Sequence, residues 1–151
     1  MRADSQPEPL IGAMLRLPWE RVRERILAGL HKRGFDDLNA AHFNVLQYPG
    51  PDRLRPSQLA AQMRMSKQAA NYLLGQMEEL GYLERRPDPS DPRLRVIRLT
   101  ARGRRAFTAI RAIVGEVEAD WERELGTRSF RDLRELLRRL NSVVGESRGA
   151  A

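Results

Sequence analysis

The side chains best suited to chemistry in this sequence are hydrogen-bonding groups on one face of a predicted helix. Lys67, Gln68, Asn71 and Tyr72 follow Ser66 at helical spacing, opposite an apolar stripe. Gln and Asn amides form paired hydrogen bonds with adenine, and a Lys ammonium binds guanine or phosphate. The pattern therefore favours recognition of nucleobase edges. The alternative is an ordinary solvated helix face, which is also polar.

The positive charge of the 151-residue chain is confined to one region. Between Arg53 and Arg105 there are 12 Lys/Arg and 5 Asp/Glu, whereas the rest of the chain has 15 of each, so the region carries the whole net charge of +7. A general preference for Arg, which supplies 25 of the 27 basic residues, does not explain this clustering. A localised positive region indicates a polyanionic partner.

Composition excludes several classes of function. The absence of cysteine rules out disulfides, iron–sulfur clusters and thiolate zinc sites. His31 and His42 have no metal-ligand spacing, and signatures of nucleophilic, metal or phosphate-cradling catalysis are missing, so we expect no enzyme, no cofactor and no metal site. No apolar run approaches the roughly 20 residues that cross a bilayer, and no secretory signal follows Met1, so the expected location is the cytoplasm.

Helix-capping and helix-breaking residues predict the helices and strands that position the polar and charged side chains. Asn39, Ser66 and Thr100 are predicted N-caps, and Gly81 and Gly126 are predicted helix stops. Five helices are predicted at Leu10–His31, Asn39–Tyr48, Pro56–Met63, Lys67–Leu80 and Thr100–Gly126. Two strands are predicted at Tyr82–Arg86 and Arg95–Leu99. A last helix is predicted to begin with a capping box at Ser129–Asp132. Pro18 is expected to kink the first helix or to mark its true start.

Two predicted helices carry charges that oppose the helix dipole. Lys67 lies at the positive end of its helix and Glu78 at the negative end, while Arg102, Arg104 and Arg105 crowd the start of the long helix. A phosphate near each helix start would turn a repulsion into an attraction. Both starts are therefore expected to face DNA.

The segment Asp91–Gly103 (DPRLRVIRLTARG) resembles the D-x-R…L-T-x-x-G signature of MarR-type winged-helix regulators. The preceding SQLAAQMRMSKQAANYLLGQMEELGYLER resembles the helix-turn-helix of that family running into its first wing strand, so the likeness covers Pro56–Gly103. It implies a mainly α winged helix-turn-helix fold with a small β-hairpin wing, in which N- and C-terminal helices form a dimerisation region. The implied organisation is one domain over 10–144, with a DNA-binding lobe at about 38–103, dimerisation helices at about 10–31 and 104–144, and flexible tails at 1–9 and 145–151.

The resemblance also implies residue roles in the wing. Arg93 would enter the minor groove from the wing tip, and Asp91 would orient its guanidinium. Narrow A·T-rich grooves attract Arg on physical grounds as well. Arg95 is a second candidate for the groove or its phosphates. The alternative is that Asp91 and Arg93 form only a local ion pair within a turn.

The helix starts supply the other expected DNA contacts. Ser57 and Gln58 are expected to contact phosphate through a backbone amide and a side chain. The helix cap Ser66 is also expected to bind DNA. Arg55 occupies an N-cap position where Ser or Thr would be expected, which makes it a further candidate for phosphate at some cost in capping.

The terminal helices offer more apolar face than one small domain can bury, which predicts a homodimer with a two-fold interface. The alternative is that they close the core of a monomer. Members of the family often bind a small aromatic or anionic molecule between the dimer region and the DNA-binding lobe. Trp19, His42, Phe43 and Trp121 are candidates to line such a pocket, with ordinary core packing as the alternative.

The predicted function is sequence-specific regulation of transcription through double-stranded DNA. In its simplest form this is a homodimeric repressor on a pseudo-palindromic operator, with release by a small-molecule effector as an option and no role for a membrane. A different class of function remains open, in which the winged helix is a protein-interaction module that docks an acidic partner.

Overall fold

The computed structural model describes residues 8–47 and 49–146, which form six helices and one two-stranded sheet. In chain order the elements are α1 (Ile11–Lys32), α2 (Ala40–Leu46), α3 (Pro56–Met63), α4 (Lys67–Glu79), β1 (Leu83–Pro87), β2 (Arg95–Leu99), α5 (Ala101–Leu125) and α6 (Thr127–Glu146). The chain divides into two compact units, one ending at Ile113 and the other beginning at Val114. None of the described helices combines the length and the apolar character that crossing a bilayer requires. The mainly α fold with a hairpin wing is confirmed.

The core of the first unit is built from the apolar faces of α1 to α5 and the inner face of the hairpin. Each helix contributes residues at three- or four-residue spacing, as an amphipathic helix requires. The fully buried residues include Ile26, Leu30, Leu38, Phe43, Leu46, Leu59, Leu74, Met77, Tyr82, Leu83, Ile97, Ala106 and Ile113. This core fixes α3, α4 and the hairpin against one another, so their outer faces have defined positions.

The turn between α3 and α4 forms as its residue types predict. Pro56 occupies the first position of α3, where its missing N–H costs no hydrogen bond. α3 ends at Arg64, which adopts a left-handed conformation with φ of 53°. Ser66 then caps α4, since its Oγ accepts a hydrogen bond from the Ala69 N–H at 3.1 Å. The predicted bounds of α3 and the predicted cap of α4 are confirmed.

The hairpin is antiparallel, with Leu83 opposite Leu99 and Pro87 opposite Arg95. The outer edge of β2 is not left open, because backbone hydrogen bonds join Ile97 to Arg53 (2.7 Å) and to Leu54 (2.8 Å). The hairpin is thus anchored to the loop before α3. The first strand was predicted at Tyr82–Arg86 and is observed one residue later.

The start of α5 is held by Thr100, as predicted. Its hydroxyl accepts from the Gly103 N–H (3.1 Å) and donates to the Gly81 carbonyl (2.6 Å). Gly103 approaches the backbone so closely that a Cβ there would lie 1.9 Å from the Tyr82 carbonyl oxygen. The glycine of the L-T-x-x-G pattern is therefore required by close backbone approach.

At the terminal helices the structure excludes one of the two alternatives for Pro18 and differs from two other predictions. α1 begins at Ile11 with Pro18 inside it, so Pro18 does not mark the helix start. α6 begins at Thr127, directly after Gly126 with φ of 84°, so the capping box at Ser129–Asp132 lies within the helix. α6 also runs to Glu146, which makes 145 and 146 helical rather than part of a tail. The remaining predicted tail residues, apart from Glu8 and Pro9, lie outside the described residues.

Each unit exposes an apolar helix face. In the first unit, the N-cap Leu10 is exposed, and the N-terminal half of α1 exposes Ile11, Met14, Leu15, Leu17 and Trp19. In the second unit, α6 exposes Leu133, Leu136, Leu140, Val143 and Val144, which lie on one side of the helix by their spacing. Contiguous apolar surface of this kind is typical of a protein–protein contact. The predicted bounds of the lobe and the dimerisation helices stay a prediction.

Candidate nucleic-acid interface

The outer face of α4 presents the side chains predicted from the sequence. Lys67, Gln68, Asn71 and Tyr72 are all exposed, and Tyr72 retains 68% of its accessible surface. The opposite face of α4 is buried in the core. An aromatic ring left this exposed on a helix that is otherwise well packed is suited to contact a partner rather than to support the fold.

Tyr72 is connected to the core by a chain of hydrogen bonds. The buried His42 accepts from the Asn39 N–H at Nδ1 (3.3 Å), so in the neutral ring its Nε2–H donates to Gln76 Oε1 (3.1 Å). The Gln76 amide in turn donates to the Tyr72 hydroxyl oxygen at 3.1 Å. The Tyr72 O–H hydrogen therefore remains available to a partner outside the protein.

The start of α3 is exposed at Ser57 and Gln58. Gln58 already has a structural task, because its Oε1 accepts from the Arg55 N–H at 2.8 Å and so completes the helix start that Arg55 cannot cap. Its amide nitrogen remains as a donor. Arg55 itself pairs with Asp88 through Nε (3.2 Å) and Nη2 (3.1 Å), so its first partner is the wing and not a phosphate.

Asp88 anchors the wing and was not singled out from the sequence. Its buried carboxylate accepts from the N–H (2.9 Å) and the hydroxyl (2.7 Å) of Ser90 and from Arg55. The hydrogen bonds from Ser90, followed by the contact with Arg55, lower the pKa of Asp88 below its usual value. The signal was present as Asp-Pro-Ser, since Asp commonly accepts from the backbone two residues on.

At the wing tip, Arg93 extends into solvent with 89% of its side chain exposed. It donates to both carboxylate oxygens of Asp91 at 3.0 Å, and its backbone N–H donates to Asp91 at 3.1 Å. These hydrogen bonds, led by the one from the Arg93 side chain, lower the pKa of Asp91. The predicted contact between the two side chains is confirmed, whereas entry into a groove stays a prediction.

Arg85, on β1, links the wing to α4 and was also missed. It donates to Glu78 from Nη2 (2.5 Å), Nε (3.0 Å) and its backbone N–H (3.0 Å), and from Nη1 to the Oδ1 of Asn71 (3.1 Å). The hydrogen bond from the Arg85 side chain is the main reason that the pKa of Glu78 is lowered. Local sequence gave no sign of this pairing, because its partners lie on different elements.

Two of the arginines at the start of α5 have partners within the chain, and the expectation that this helix start faces DNA stays a prediction. Arg102 donates to the Leu80 carbonyl (2.5 Å), pairs with Asp37 (3.0 Å) and lies over the Tyr82 ring. Arg104 donates to the Leu99 carbonyl at 2.7 Å. Both therefore satisfy carbonyl oxygens at the ends of neighbouring elements.

Other cations of the same unit have no such partner. Arg64, Lys67 and Arg95 are exposed and form no ion pair with any residue of 8–47 or 49–146. Arg64 lies in the α3–α4 turn, Lys67 opens α4 and Arg95 opens β2. The elements that were predicted to contact DNA thus include exposed cations without an ion pair.

Two of the four residues that were predicted to line an effector pocket contact each other. Trp19 and Phe43 form a tilted ring contact with centroids 6.4 Å apart in the first unit, where Phe43 is buried. Both nitrogens of His42 have protein partners, as a core histidine would. Trp121 is half-buried in the second unit. A pocket formed by these residues stays a prediction, and no group of three potential metal ligands occurs among the described residues.

A helix-turn-helix followed by a short antiparallel hairpin and a capped helix defines the winged helix-turn-helix class. Residues 36–94 match the model of the MarR family. No match to a curated protein is found. Over this segment and in its fold, the chain is similar to MarR-type winged helix-turn-helix transcriptional regulators.

Several solved structures have the same fold. One structure of MarR is 24% identical and aligns over 100% of both chains with a TM-score of 0.77. A MarR family protein of Mycobacterium tuberculosis in complex with salicylic acid is 25% identical, with 89% of this chain and 98% of that chain covered and a TM-score of 0.66. CouR from Rhodococcus jostii RHA1, bound to p-coumaroyl-CoA, is 23% identical over 93% and 95% of the two chains, with a TM-score of 0.65.

Proposed function

We propose that this protein is a MarR-type transcriptional regulator, a homodimer that binds a specific, pseudo-palindromic sequence of double-stranded DNA and represses transcription by occluding a promoter. The observation that carries the proposal is the coincidence of exposed hydrogen-bond donors and unpaired cations on α3, α4 and the wing of a single unit. A duplex presents phosphates along both strands and base edges in its grooves, so a helix and a hairpin with such groups are complementary to it.

In the proposed complex α4 occupies the major groove. Lys67, Gln68, Asn71 and Tyr72 would face base edges and the adjacent phosphates, since they are exposed along one side of the helix. Ser57 and Gln58, with the cap residue Ser66, would contact phosphate at the starts of the two helices, where backbone N–H groups point outward. These contacts fix the register of α4 on the duplex.

The wing supplies the minor-groove contact. Arg93 is held by Asp91 in a bidentate arrangement that reduces the number of conformations its guanidinium adopts before binding. Less conformational entropy is then lost when the guanidinium enters a narrow groove. Arg95, opposite Pro87 at the tip end of the hairpin, would contact the groove or a flanking phosphate.

A homodimer accounts for the exposed apolar faces on α1 and α6 and doubles the length of DNA that is read. Two half-sites roughly 34–36 Å apart would then lie on one side of the duplex, and the operator would be pseudo-palindromic. A small aromatic acid or its derivative is the proposed effector class, in keeping with the salicylic acid and p-coumaroyl-CoA bound to two proteins of the same fold. Function of this kind depends on binding and needs no catalysis.

Selection from random duplex DNA, followed by fluorescence-anisotropy titrations at several salt concentrations, tests DNA binding. We expect Arg93→Ala to weaken operator binding about 5- to 150-fold and Lys67→Ala to reduce the salt slope by roughly one. Arg21→Ala is the control, because it removes the same charge from an exposed α1 residue that pairs with Glu24. If the protein shows no salt-steep affinity for any duplex, the acidic-partner alternative is favoured instead.

Sedimentation at several protein concentrations tests the dimer. We expect Leu136→Glu, in the apolar stripe of α6, to shift the protein towards the monomer because it places a charge in the proposed interface. Arg131→Glu, an exposed change on the opposite side of the same helix, should leave the dimer intact. A wild-type protein that sediments as a monomer at micromolar concentration contradicts the proposed interface.

A further inference from the structure

Arg85 lies between a structural ion pair and a side chain on the outer face of α4. Three of its hydrogen bonds go to Glu78, and the fourth runs from Nη1 to the Oδ1 of Asn71 at 3.1 Å. The ion pair is about 30% exposed on both sides, so water competes with it only partly. Because Arg85 is fixed by Glu78, it offers Asn71 a donor in one defined position.

This contact determines which way the Asn71 amide faces. A guanidinium has only donors, so the Asn71 atom that meets Nη1 is the carbonyl oxygen and not the nitrogen. The Nδ2 group must then point away from Arg85, and Asn71 is exposed. A free Asn side chain would sample both amide orientations, which present an acceptor or a donor at the same place.

We propose that Arg85 is a positioning residue for specificity, which makes Asn71 present its amide hydrogens to the major groove and so select a purine N7 at the base it faces. This inference rests on the proposed DNA binding. In the major groove adenine and guanine both carry an N7 acceptor, thymine carries the O4 acceptor beside its methyl group, and cytosine offers an amino donor. Asn71 in this orientation favours a purine over cytosine, and it discriminates adenine from guanine less than a free amide that also accepts from adenine N6.

Duplexes in which single purines are replaced by 7-deazapurines give the direct test. This replacement removes only the N7 acceptor and leaves base pairing unchanged. For the wild-type protein, one purine in each half-site should cost about three- to ten-fold in affinity when replaced, the range expected for one hydrogen bond between neutral groups. The cost at that purine should vanish in Asn71→Ala, which identifies the base that Asn71 reads.

The variant that tests the inference is Arg85→Met. In this variant the Asn71 amide is free to turn. Replacing the purine read by Asn71 with its 7-deaza analogue should therefore reduce the affinity much less than it does for the wild-type protein; this reduction in affinity is called the 7-deaza cost below. Arg86→Met is the matched control, since Arg86 is the next residue on β1 and pairs with Glu84 at 2.7 Å. Both variants remove one positive charge from the wing, so their loss of general affinity is similar, but Arg86→Met should keep the 7-deaza cost.

A measurement without DNA covers the case in which Arg85→Met folds poorly. In the free protein, the Asn71 side-chain amide should be ordered by NMR relaxation, and Glu78→Gln, which loosens Arg85 without removing it, should increase its mobility. An Asn71 amide that is equally mobile in wild type and Glu78→Gln overturns the inference, as does an unchanged 7-deaza cost in a folded Arg85→Met. If DNA binds with a steep salt dependence and no purine shows an Asn71-dependent cost, the inference fails while the proposed function stands. If no duplex binds, both fail.

Discussion

Gly103→Ala is the substitution whose effect follows most directly from the structure. The added Cβ would lie 1.9 Å from the Tyr82 carbonyl oxygen and 3.0 Å from its carbonyl carbon. An ordinary C···O contact is about 3.3 Å, so the start of α5 and Tyr82 would have to separate by roughly 1.4 Å. The obstructing atoms belong to the backbone, so no change of side-chain rotamer relieves the contact.

The size of the effect follows from what that separation disrupts. Tyr82 O accepts from the Thr100 N–H at 3.1 Å, and the Thr100 hydroxyl donates to Gly81 O at 2.6 Å. Overpacking costs about 1–3 kcal/mol and each weakened hydrogen bond about 1 kcal/mol, while replacing a helical glycine by alanine returns about 1 kcal/mol. We expect a net loss of about 3 kcal/mol, or a Tm lower by roughly 6–12 °C for a chain of this size.

Thermal unfolding followed by circular dichroism, at one fixed protomer concentration, measures the difference. Gly115→Ala is the matched control, because it lies in the same helix, is exposed and has no atom within 4 Å of an added Cβ. It should raise stability by about 0.8–1 kcal/mol through helix propensity. A Tm for Gly103→Ala within about 2 °C of wild type would refute the close approach as the reason for the glycine.

Three further outcomes are expected. Ser66→Ala should lower the free energy of unfolding in urea by about 1 kcal/mol, since the α4 cap is lost, and an unchanged urea midpoint would contradict the cap. Arg64→Gly should raise that free energy by about 1 kcal/mol by relieving the left-handed φ of 53°, yet weaken DNA binding; tighter binding would exclude a phosphate contact by Arg64. Burial, then the hydrogen bond to Asp37, raises the pKa of Tyr82 far above 10.0, so its contribution to stability is present below pH 10 and is lost as pH rises further. Tyr82→Phe should reduce this alkaline loss in urea titrations, and an identical pH dependence would refute the assignment.

The local structure of the binding lobe was predictable because its signals lie within a few residues of their effects. Pro56 opens α3, Ser66 caps α4 and Gly81 stops it, and each acts through its own backbone or the next turn. The last helix was misjudged for a related reason. The Ser129–Asp132 pattern predicts a helix start there, but Gly126 turns the chain earlier and the helix begins at Thr127.

The contacts that orient the site were beyond prediction because they join residues distant in sequence. Arg55 meets Asp88 across 33 residues, and Arg85 meets Asn71 across 14. In the sequence these side chains were one basic region, with no indication of which arginines were already paired. Charge counting therefore located the candidate interface and left open which of its cations are available to a ligand.

The structure separates two kinds of misplaced charge on α4. Glu78 lies at the negative end of the helix dipole, but Arg85 compensates it through a bidentate ion pair, so this misplacement has a reason within the fold. Lys67 lies at the positive end, at a cost of about 0.3–1 kcal/mol, and no ion pair offsets it within the described chain.

The turn immediately before Lys67 carries a second cost of the same order, since Arg64 holds a left-handed conformation that glycine would adopt more easily. Stability alone would favour a different residue at both positions. A phosphate bound at the α3–α4 turn would offset both costs, because it interacts with the two cations and with the N–H groups that open α4. Lys67 and Arg64, rather than the better-paired arginines around them, are therefore the charges that argue most strongly for a polyanion at this face.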